Sequence, residues 1–160
     1  GALVGINPLN ANRIVGGALE TGAIPSVDQY RSIRREVRYG EGSRVDFLLS
    51  EPGLPDCYVE VKNVHLARQN GLAEFPDAVT ARGAKHLAEL ARVKAAGNRA
   101  LMLFLVQRED CDRFQVAEDI DPAYGAALRA AVEAGVEVLC LACQVSLTDI
   151  TVVRRIPFDG

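Results

Sequence analysis

The sequence predicts one α/β domain in which a mixed β-sheet is flanked by helices. The 160 residues are 49% hydrophobic and 24% charged, as expected of a single soluble domain with its own core. Some segments repeat apolar residues at helical spacing, whereas others alternate or are continuously apolar, as strands are. No internal repeat and no Gly/Ser/Pro linker divides the chain. The predicted order α-β-β-β-α-β-α-β-β gives a mixed sheet covered by helices, in one domain spanning residues 1–160.

The front of the chain is predicted to form a helix followed by three strands. Asn10 or Asn12 can cap a helix that continues through RIVGGALE and ends at Gly22, although two internal glycines weaken it. The turn signals GEGS and EPGLPD then separate short segments of strand composition. Because consecutive strands this close form antiparallel hairpins, we expect hairpins from the strands Ser32–Tyr39, Arg44–Ser50 and Cys57–Asn63.

The rest of the chain is predicted to alternate helices and strands after a loop at residues 64–79. Thr80 caps a strongly periodic helix, ARGAKHLAELARVKAAG, which ends at Gly97. The continuous apolar run Ala100–Gln107 is typical of a buried strand, and the Asp-Pro start of Asp121–Gly135 predicts another helix. The last predicted strands are Val136–Val145 and Asp149–Ile156.

Charge and composition favour a cytoplasmic protein with a basic front half. Residues 1–108 carry 14 Lys/Arg against 11 Asp/Glu, whereas residues 109–160 carry 4 against 10. A nucleic-acid-binding face therefore stays open beside the plainer alternative of a solvated surface, and the clustered arginines are Arg31, Arg34, Arg35 and Arg38. No apolar run reaches the roughly 20 residues that span a bilayer, and the start GALVGINPLN lacks a secretory pattern. The four cysteines suit a reducing compartment.

The segment CYVEVKN places an acid and a base on the same face of a predicted strand. Because side chains alternate along a strand, Glu60 and Lys62 share one face and the valines take the other. In a regular hairpin Leu49 opposes Cys57, which puts Asp46 directly opposite Glu60. Two facing carboxylates cost stability, and a bound cation, a shared proton or a nearby base relieves that cost.

This arrangement is suited to Mg²⁺ and to hydrolytic chemistry. Mg²⁺ prefers oxygen and is commonly held by one or two carboxylates together with waters and substrate phosphate. A metal between Asp46 and Glu60 lowers the pKa of bound water and neutralises charge on a phosphodiester, while Lys62 can orient the attacking water. The same residues also fit an exposed cross-strand salt bridge, and the pattern alone favours that alternative.

Six strings extend the pattern over most of the chain: GINPLNANRI, VRYGEGSRVDFLL, CYVEVKNVHLA, EFPDAVTARGAKHL, IDPAYGAAL and AGVEVL. Within them, VDFLL followed by CYVEVKN looks like the PD-(D/E)XK nuclease motif, and the order α-β-β-β-α-β resembles the core of that superfamily. More specifically, the chain is similar to the sugar fermentation stimulation protein (SfsA) family. The resemblance implies a restriction-endonuclease-like fold and a DNA-associated bacterial or archaeal protein, linked by name to sugar metabolism.

The resemblance also implies roles for individual residues. Lys62 matches the catalytic lysine, and Lys85 matches a helical position that faces the site in related nucleases, with a surface lysine as the alternative. Glu20 matches an acidic position that often adds to the metal shell, and a solvated acid near a helix end fits it as well. The implied metal is Mg²⁺ or Mn²⁺, and the implied metal-binding residues are Asp46, Glu60, Val61 and Glu20.

The chain departs from the family pattern in two places. Ala84 stands where SfsA-like proteins usually carry the glutamine of Arg-Gly-Gln-Lys-His, which puts any role of that glutamine in doubt. Family members also carry an N-terminal domain resembling an OB fold, a module suited to single strands. We expect this chain to begin at or after the end of that domain.

Two functions follow from the resemblance. The first is a hydrolase, a Mg²⁺-dependent nuclease that cleaves DNA without sequence preference. The second is a non-catalytic DNA-binding regulator of sugar (maltose) metabolism genes. The intact set of Asp46, Glu60 and Lys62 favours the first, and the family name favours the second. DNA is the expected partner in both and a membrane in neither; the oligomeric state stays open, with a homodimer among the options.

Overall fold

The computed structural model describes residues 8–145 and 150–159. Its helices are α1 Pro8–Glu20, α2 Ala81–Ala95 and α3 Pro122–Glu133, with a 3-10 turn at Pro25–Val27. Its strands are β1 Ser32–Tyr39, β2 Ser43–Ser50, β3 Cys57–Val64, β4 Leu66–Gln69, β5 Gly71–Phe75, β6 Arg99–Val106, β7 Cys111–Val116, β8 Glu137–Val145, β9 Ile150–Ile156 and β10 Phe158–Asp159. Among the helices in these two ranges, none is long and apolar enough to cross a membrane.

The larger of two sheets has the predicted architecture. Its six strands follow the order β1-β2-β3-β6-β8-β9. β3, β6 and β8 run parallel, whereas β1, β2 and β9 join antiparallel. The mixed sheet confirms the predicted fold class. Asp149, the predicted first residue of the last strand, lies outside the described residues.

A second sheet, with the order β10-β7-β5-β4, shows that the predicted loop at residues 64–79 is wrong. β4 and β5 form an antiparallel pair that turns at Asn70 and Gly71, where Gly71 has φ 77°. An Asn-Gly pair between short strands is a strong hairpin signal that the sequence does contain. β7 was also missed, because it pairs in parallel with β5 across a long stretch of chain and local sequence does not report such a pairing.

The large sheet separates two apolar layers. On one face α1 packs against β3 and β9, and its Val15 belongs to the same buried cluster as Val59, Val61 and Leu103. On the other face α2 and α3 pack over the sheet through a second buried cluster that includes Leu87, Leu90, Phe104 and Tyr124. Any polar side chain of β3 that points toward α2 is therefore enclosed between the sheet and that helix.

Asp121 fixes the start of α2 relative to α3. Its Oδ1 accepts a hydrogen bond from Tyr124 N at 3.0 Å and its Oδ2 accepts one from Thr80 N at 2.8 Å. The Thr80 hydroxyl accepts from Gly83 N at 3.0 Å, so both helix caps predicted from the sequence are confirmed. Both helix N-termini are thus tied to one buried carboxylate.

The predicted cap of the first helix is wrong, because α1 already begins at Pro8 and encloses Asn10 and Asn12. Proline suits the first turn of a helix, where its missing N–H costs nothing. The amide of Asn12 instead donates to Asp46 on β2. Asn12, which the sequence predicts as a local helix cap, therefore makes a long-range contact instead.

The two glycines of α1 are expected to respond differently to alanine. A Cβ at Gly16 would clash with the guanidinium of Arg35, which sits over the Phe47 ring and pairs with Glu20 at 3.0 Å. A Cβ at Gly17 meets nothing within 4 Å. Thermal unfolding should show Gly17→Ala stabilised by about 0.5–1 kcal/mol, with Gly16→Ala gaining less, because the Arg35 guanidinium must shift away from its contacts with Glu20 and Phe47. Equal stabilities would contradict the packing of Arg35 across α1.

Candidate metal and phosphate site

A cavity of about 430 Å³ opens between β1, β2, β3 and the first turns of α2. Acidic and basic side chains line it together. The charged or titratable lining residues are Glu36, Arg44, Asp46, Glu60, Arg82, Lys85 and His86. The structure thus brings Lys85 together with Asp46 and Glu60, which are two of the three predicted metal-binding carboxylates.

The predicted pairing register of β2 with β3 is observed as far as Phe47, and the pairing ends there, next to the site. Leu49 pairs with Cys57, and Phe47 pairs with Val59, as predicted. The hydrogen-bond ladder between β2 and β3 ends one pair before Asp46 and Glu60. The Asp46 carboxylate there accepts a hydrogen bond from the backbone N–H of Val61 at 2.7 Å. The other oxygen of Asp46 accepts from the Asn12 amide at 2.8 Å. Two donors from different elements therefore fix this carboxylate at the cavity wall.

Glu60 and Lys62 share the face of β3 that lies under α2, as alternation predicted. Glu60 is 3% exposed, and its Oε1 lies 3.9 Å from Lys62 Nζ and 3.4 Å from His86 Nδ1. Its Oε2 has no hydrogen-bond partner among the described residues. A buried carboxylate oxygen without a donor costs free energy, and a cation at this position would relieve that cost.

Burial is the largest cause of the pKa shifts of Glu60, Lys62 and His86, the three titratable side chains of this cluster. Burial, and then the charge of Asp46, raise the pKa of Glu60 to about 8, although Lys62 opposes the shift. Burial also lowers the pKa of Lys62, against the pull of Glu60 and Asp46. Burial first, and then Lys62 and Arg82, lower the pKa of His86 to about 4. At neutral pH the imidazole is neutral, and its Nδ1 lies 3.1 Å from Lys62 Nζ, where it can accept from the ammonium.

The donor set fits a hard divalent cation that keeps part of its water shell. Within residues 8–145 and 150–159, no three His, Cys, Asp or Glu side chains lie close enough to chelate one ion. Two carboxylates, Asp46 and Glu60, suit Mg²⁺ or Mn²⁺, which leave remaining positions to water or phosphate. Val61, the other predicted ligand on β3, is absent from the cavity lining, and its N–H donates to Asp46. Among the described carboxylates, Glu60 Oε2 and both oxygens of Glu89 are buried without a hydrogen-bond partner, and of these two residues only Glu60 lines this cavity, where a cation could contact it.

The stabilising effect of a divalent cation is expected to grow with pH. Because the pKa of Glu60 is raised to about 8, its contribution to stability is full below the unfolded value of about 4.5 and is lost as pH rises toward 8. A cation competes with that proton and offsets the ionised charge. Melting with and without Mn²⁺ should show a larger rise in Tm at about pH 8.5 than at about pH 6.5. Glu60→Gln is the control, and a rise that it leaves unchanged would contradict the assignment.

Glu20 is not brought to the cavity. Its carboxylate pairs with Arg35 at 3.0 Å, its side chain is 60% exposed, and it is absent from the cavity lining. Lys85 does line the cavity, with its Nζ donating to the Glu41 carbonyl at 2.9 Å. The same Nζ lies 3.9 Å from buried Glu89. The ammonium of Lys85 is therefore held at the cavity mouth rather than free in solvent.

Three contributors were missed by the sequence interpretation as members of this site: Asn12, Glu36 and His86. Helical spacing could have indicated His86, because it lies four residues after Arg82 and next to Lys85 on α2. Asn12 reaches the cavity through long-range packing, for which the sequence carries no local signal, whereas Glu36 lies opposite Asp46 in the β1–β2 hairpin, where its register could have indicated it.

A larger cavity of about 710 Å³ lies between β7, α3 and β10. Its acids are largely paired with arginines: Glu118 contacts Arg129, and Asp119 receives two hydrogen bonds from Arg68. Leu128, Val132 and Phe158 provide an apolar floor. It lacks the partnerless buried carboxylate that marks the smaller cavity.

Known proteins resemble the chain along nearly all of its length. The family model described as "Sugar fermentation stimulation protein RE domain" matches residues 9–149. A sugar fermentation stimulation protein homolog from Rhodospirillum centenum is 56% identical over 156 residues, covering 98% of this chain and 67% of the relative. A homolog of the same name from Dinoroseobacter shibae is 55% identical over 159 residues, covering 99% of this chain and 65% of the relative.

A solved structure shares the fold. The Pyrococcus furiosus SfsA structure, determined in complex with Ca²⁺, superposes with a TM-score of 0.84 at 29% identity, covering 92% of this chain and 65% of that one. The chain thus spans about two thirds of the length of the relatives it matches. On the family match and these identities, the chain belongs to the sugar fermentation stimulation protein (SfsA) family.

Proposed function

We propose that this protein binds DNA without sequence preference and hydrolyses its phosphodiester bonds with a divalent metal held by Asp46 and Glu60. The observation that carries the proposal is the mixed lining of one cavity. Two carboxylates lie there with Arg82 and Lys85, and one carboxylate oxygen of Glu60 is buried without a partner. Acids for a metal and bases for a phosphate at one site are the parts that phosphodiester hydrolysis needs.

Each side chain has a distinct task in this proposal. A bound Mg²⁺ or Mn²⁺ supplies water of lowered pKa and neutralises charge on the phosphate. Arg82 and Lys85 bind the phosphate oxygens from the α2 side of the cavity. Lys62 orients the attacking water, and the neutral imidazole of His86, 3.1 Å from Lys62 Nζ, holds that ammonium in place. Burial of Lys62 and Glu60 keeps these contacts strong by excluding bulk water.

Divalent-metal binding has support outside this chain. The Pyrococcus furiosus relative was determined in complex with Ca²⁺. Ca²⁺ and Mg²⁺ both take oxygen ligands, and Mg²⁺ demands fewer from the protein because it retains waters. We therefore propose Mg²⁺, or Mn²⁺ in its place, as the working metal of this site.

A second candidate is a regulator that binds DNA near sugar-metabolism genes without cleaving it. The names of the relatives, which refer to stimulation of sugar fermentation, favour it. The same cavity would then hold a phosphate and a metal with no turnover. Only cleavage separates the two candidates.

The experiment is a cleavage assay on supercoiled, branched and flapped DNA with Mg²⁺ or Mn²⁺, and with EDTA as the control. The nuclease proposal expects nicked or shortened products that appear only with metal. Binding of metal and DNA without cleavage of any of these substrates would reject the nuclease and leave the regulator.

The DNA-binding face is proposed to run from the exposed edge strand β1 to the cavity. Arg34 and Arg38 are exposed on β1, whereas Arg35 is engaged with Glu20 and Phe47. Each phosphate contact releases counterions, so affinity should fall steeply with salt.

The double variant Arg34→Ala, Arg38→Ala is expected to weaken DNA binding equally for all sequences. It should also reduce the slope of log affinity against log salt by about 2. Fluorescence anisotropy at several salt concentrations measures both effects. Arg129→Ala, on α3 and paired with Glu118, is the matched control and should leave the slope unchanged. If the unmodified protein, the double variant and Arg129→Ala all show the same salt slope, DNA does not bind at β1.

A further inference from the structure

Glu36 has a backbone conformation that its side chain disfavours. It lies in the middle of β1 with φ 55°, the only positive φ of a non-glycine residue in the described ranges. The left-handed region crowds a Cβ against the backbone, so surrounding structure must hold the residue there. Glycine would adopt the same φ without strain.

This conformation changes the pairing next to the site. β1 and β2 pair at Arg35 with Phe47 and at Val37 with Val45, and they skip the pair between Glu36 and Asp46. The interruption releases Asp46 from the ladder on the β1 side, and Glu36 becomes part of the cavity lining beside it. A strained acid thus stands next to an acid that faces the proposed metal.

The third acid of the cavity, Glu60, has a buried oxygen that lacks a hydrogen-bond donor. Glu60 lines the same cavity, its side chain is 4% exposed, and its Oε2 has no hydrogen-bond partner among the described residues. Yet no three acidic, His or Cys side chains of the described chain approach closely enough to bind one ion directly. In this arrangement an ion held by Asp46 and Glu60 would therefore not take Glu36 as a third direct ligand, although Glu36 lines the same cavity.

We propose that Glu36 is a positioning residue that accepts hydrogen bonds from the water ligands of the divalent cation. This inference rests on the proposed metal at Asp46 and Glu60. Mg²⁺ retains several waters, and carboxylates that orient metal ligands from the next layer strengthen binding. Glu36, rather than Glu20, is the accessory acid of the site, because Glu20 pairs with Arg35 outside the cavity.

Replacing Glu36 with glycine separates the effect of the carboxylate on metal affinity from the effect of the backbone strain on stability. Glu36→Gly removes the carboxylate and also the strain, so metal affinity and metal-free stability should respond differently. Calorimetric titration with Mn²⁺ should show Kd weakened by about tenfold. The metal-free Tm should stay the same or rise, because glycine adopts this φ freely and one like charge is gone. Glu36→Gln, which keeps the strain, should weaken Kd similarly.

The controls are exposed acids outside the cavity. Glu41→Gln, on the turn between β1 and β2, and Glu20→Gln should both leave the Mn²⁺ Kd unchanged. An unchanged Mn²⁺ Kd in Glu36→Gly or Glu36→Gln would overturn this inference. If Asp46→Asn nevertheless no longer binds Mn²⁺, the proposed metal site itself still stands. If the unmodified protein binds no Mn²⁺, both the metal site and the role of Glu36 are rejected.

Discussion

Replacing Lys62 with alanine is expected to lower the rate of DNA cleavage by about 10²–10⁴-fold while metal and DNA affinities stay close to those of the unmodified protein. Lys62 lies 3.9 Å from Glu60 and 3.1 Å from His86, and it is not required as a metal ligand. Its loss removes the group that orients water but leaves both carboxylates and the phosphate-binding bases. Single-turnover cleavage, with Mn²⁺ calorimetry alongside, measures the two effects separately.

Lys85→Ala is the matched control for this variant. Lys85 is a half-exposed lysine at the mouth of the same cavity, and its proposed task is to bind phosphate. It should raise the DNA concentration needed for half-maximal rate more than it lowers the maximal rate. The assignment of Lys62 fails if both lysine variants lower the maximal rate equally, or if Lys62→Ala still cleaves at the original rate.

Asp46→Asn is expected to weaken metal affinity by about 100-fold or more and to remove cleavage in proportion. The substitution takes one negative charge from a site whose metal has only two proposed protein carboxylates. It also affects the fold, because both oxygens of Asp46 accept from N–H donors of Asn12 and Val61. One of those donors would then face an amide NH₂, so metal-free stability should fall by about 1 kcal/mol.

Asn12→Ala separates these two consequences. It removes the donor to Asp46 Oδ1 but keeps the carboxylate charge, so metal affinity should fall by only about 10–100-fold. Cleavage at saturating metal should then recover in Asn12→Ala and stay absent in Asp46→Asn. Equal metal affinities in Asp46→Asn and the unmodified protein would show that Asp46 is not a ligand.

The strand register near the site could be predicted because it follows from local rules. Alternation in CYVEVKN and the short turn after Leu49 place Glu60 and Lys62 on one face, and the structure has them there. The second sheet was not predicted, since β5 and β7 pair in parallel across residues 76–110. Only the Asn70-Gly71 turn gave a local sign of that sheet.

The composition of the site was only partly predictable for a related reason. The carboxylates Asp46 and Glu60 belong to one hairpin, so pattern and resemblance both identified them. Asn12 reaches the site from α1, and His86 reaches it from α2, through packing of helices on opposite faces of the sheet. Glu36 depends on an interrupted ladder that no propensity of glutamate would indicate. Contacts between distant segments set the positions of Asn12 and His86, and local sequence does not encode those contacts.

The most direct test of the metal site is anomalous diffraction from crystals of the protein soaked in Mn²⁺, recorded at the manganese absorption edge. We expect one strong peak in the cavity, within coordination distance of the Asp46 and Glu60 carboxylates, and its loss in crystals of Asp46→Asn. A peak bound at other residues, or none in the cavity at saturating Mn²⁺, would contradict the claim that these two carboxylates hold the metal.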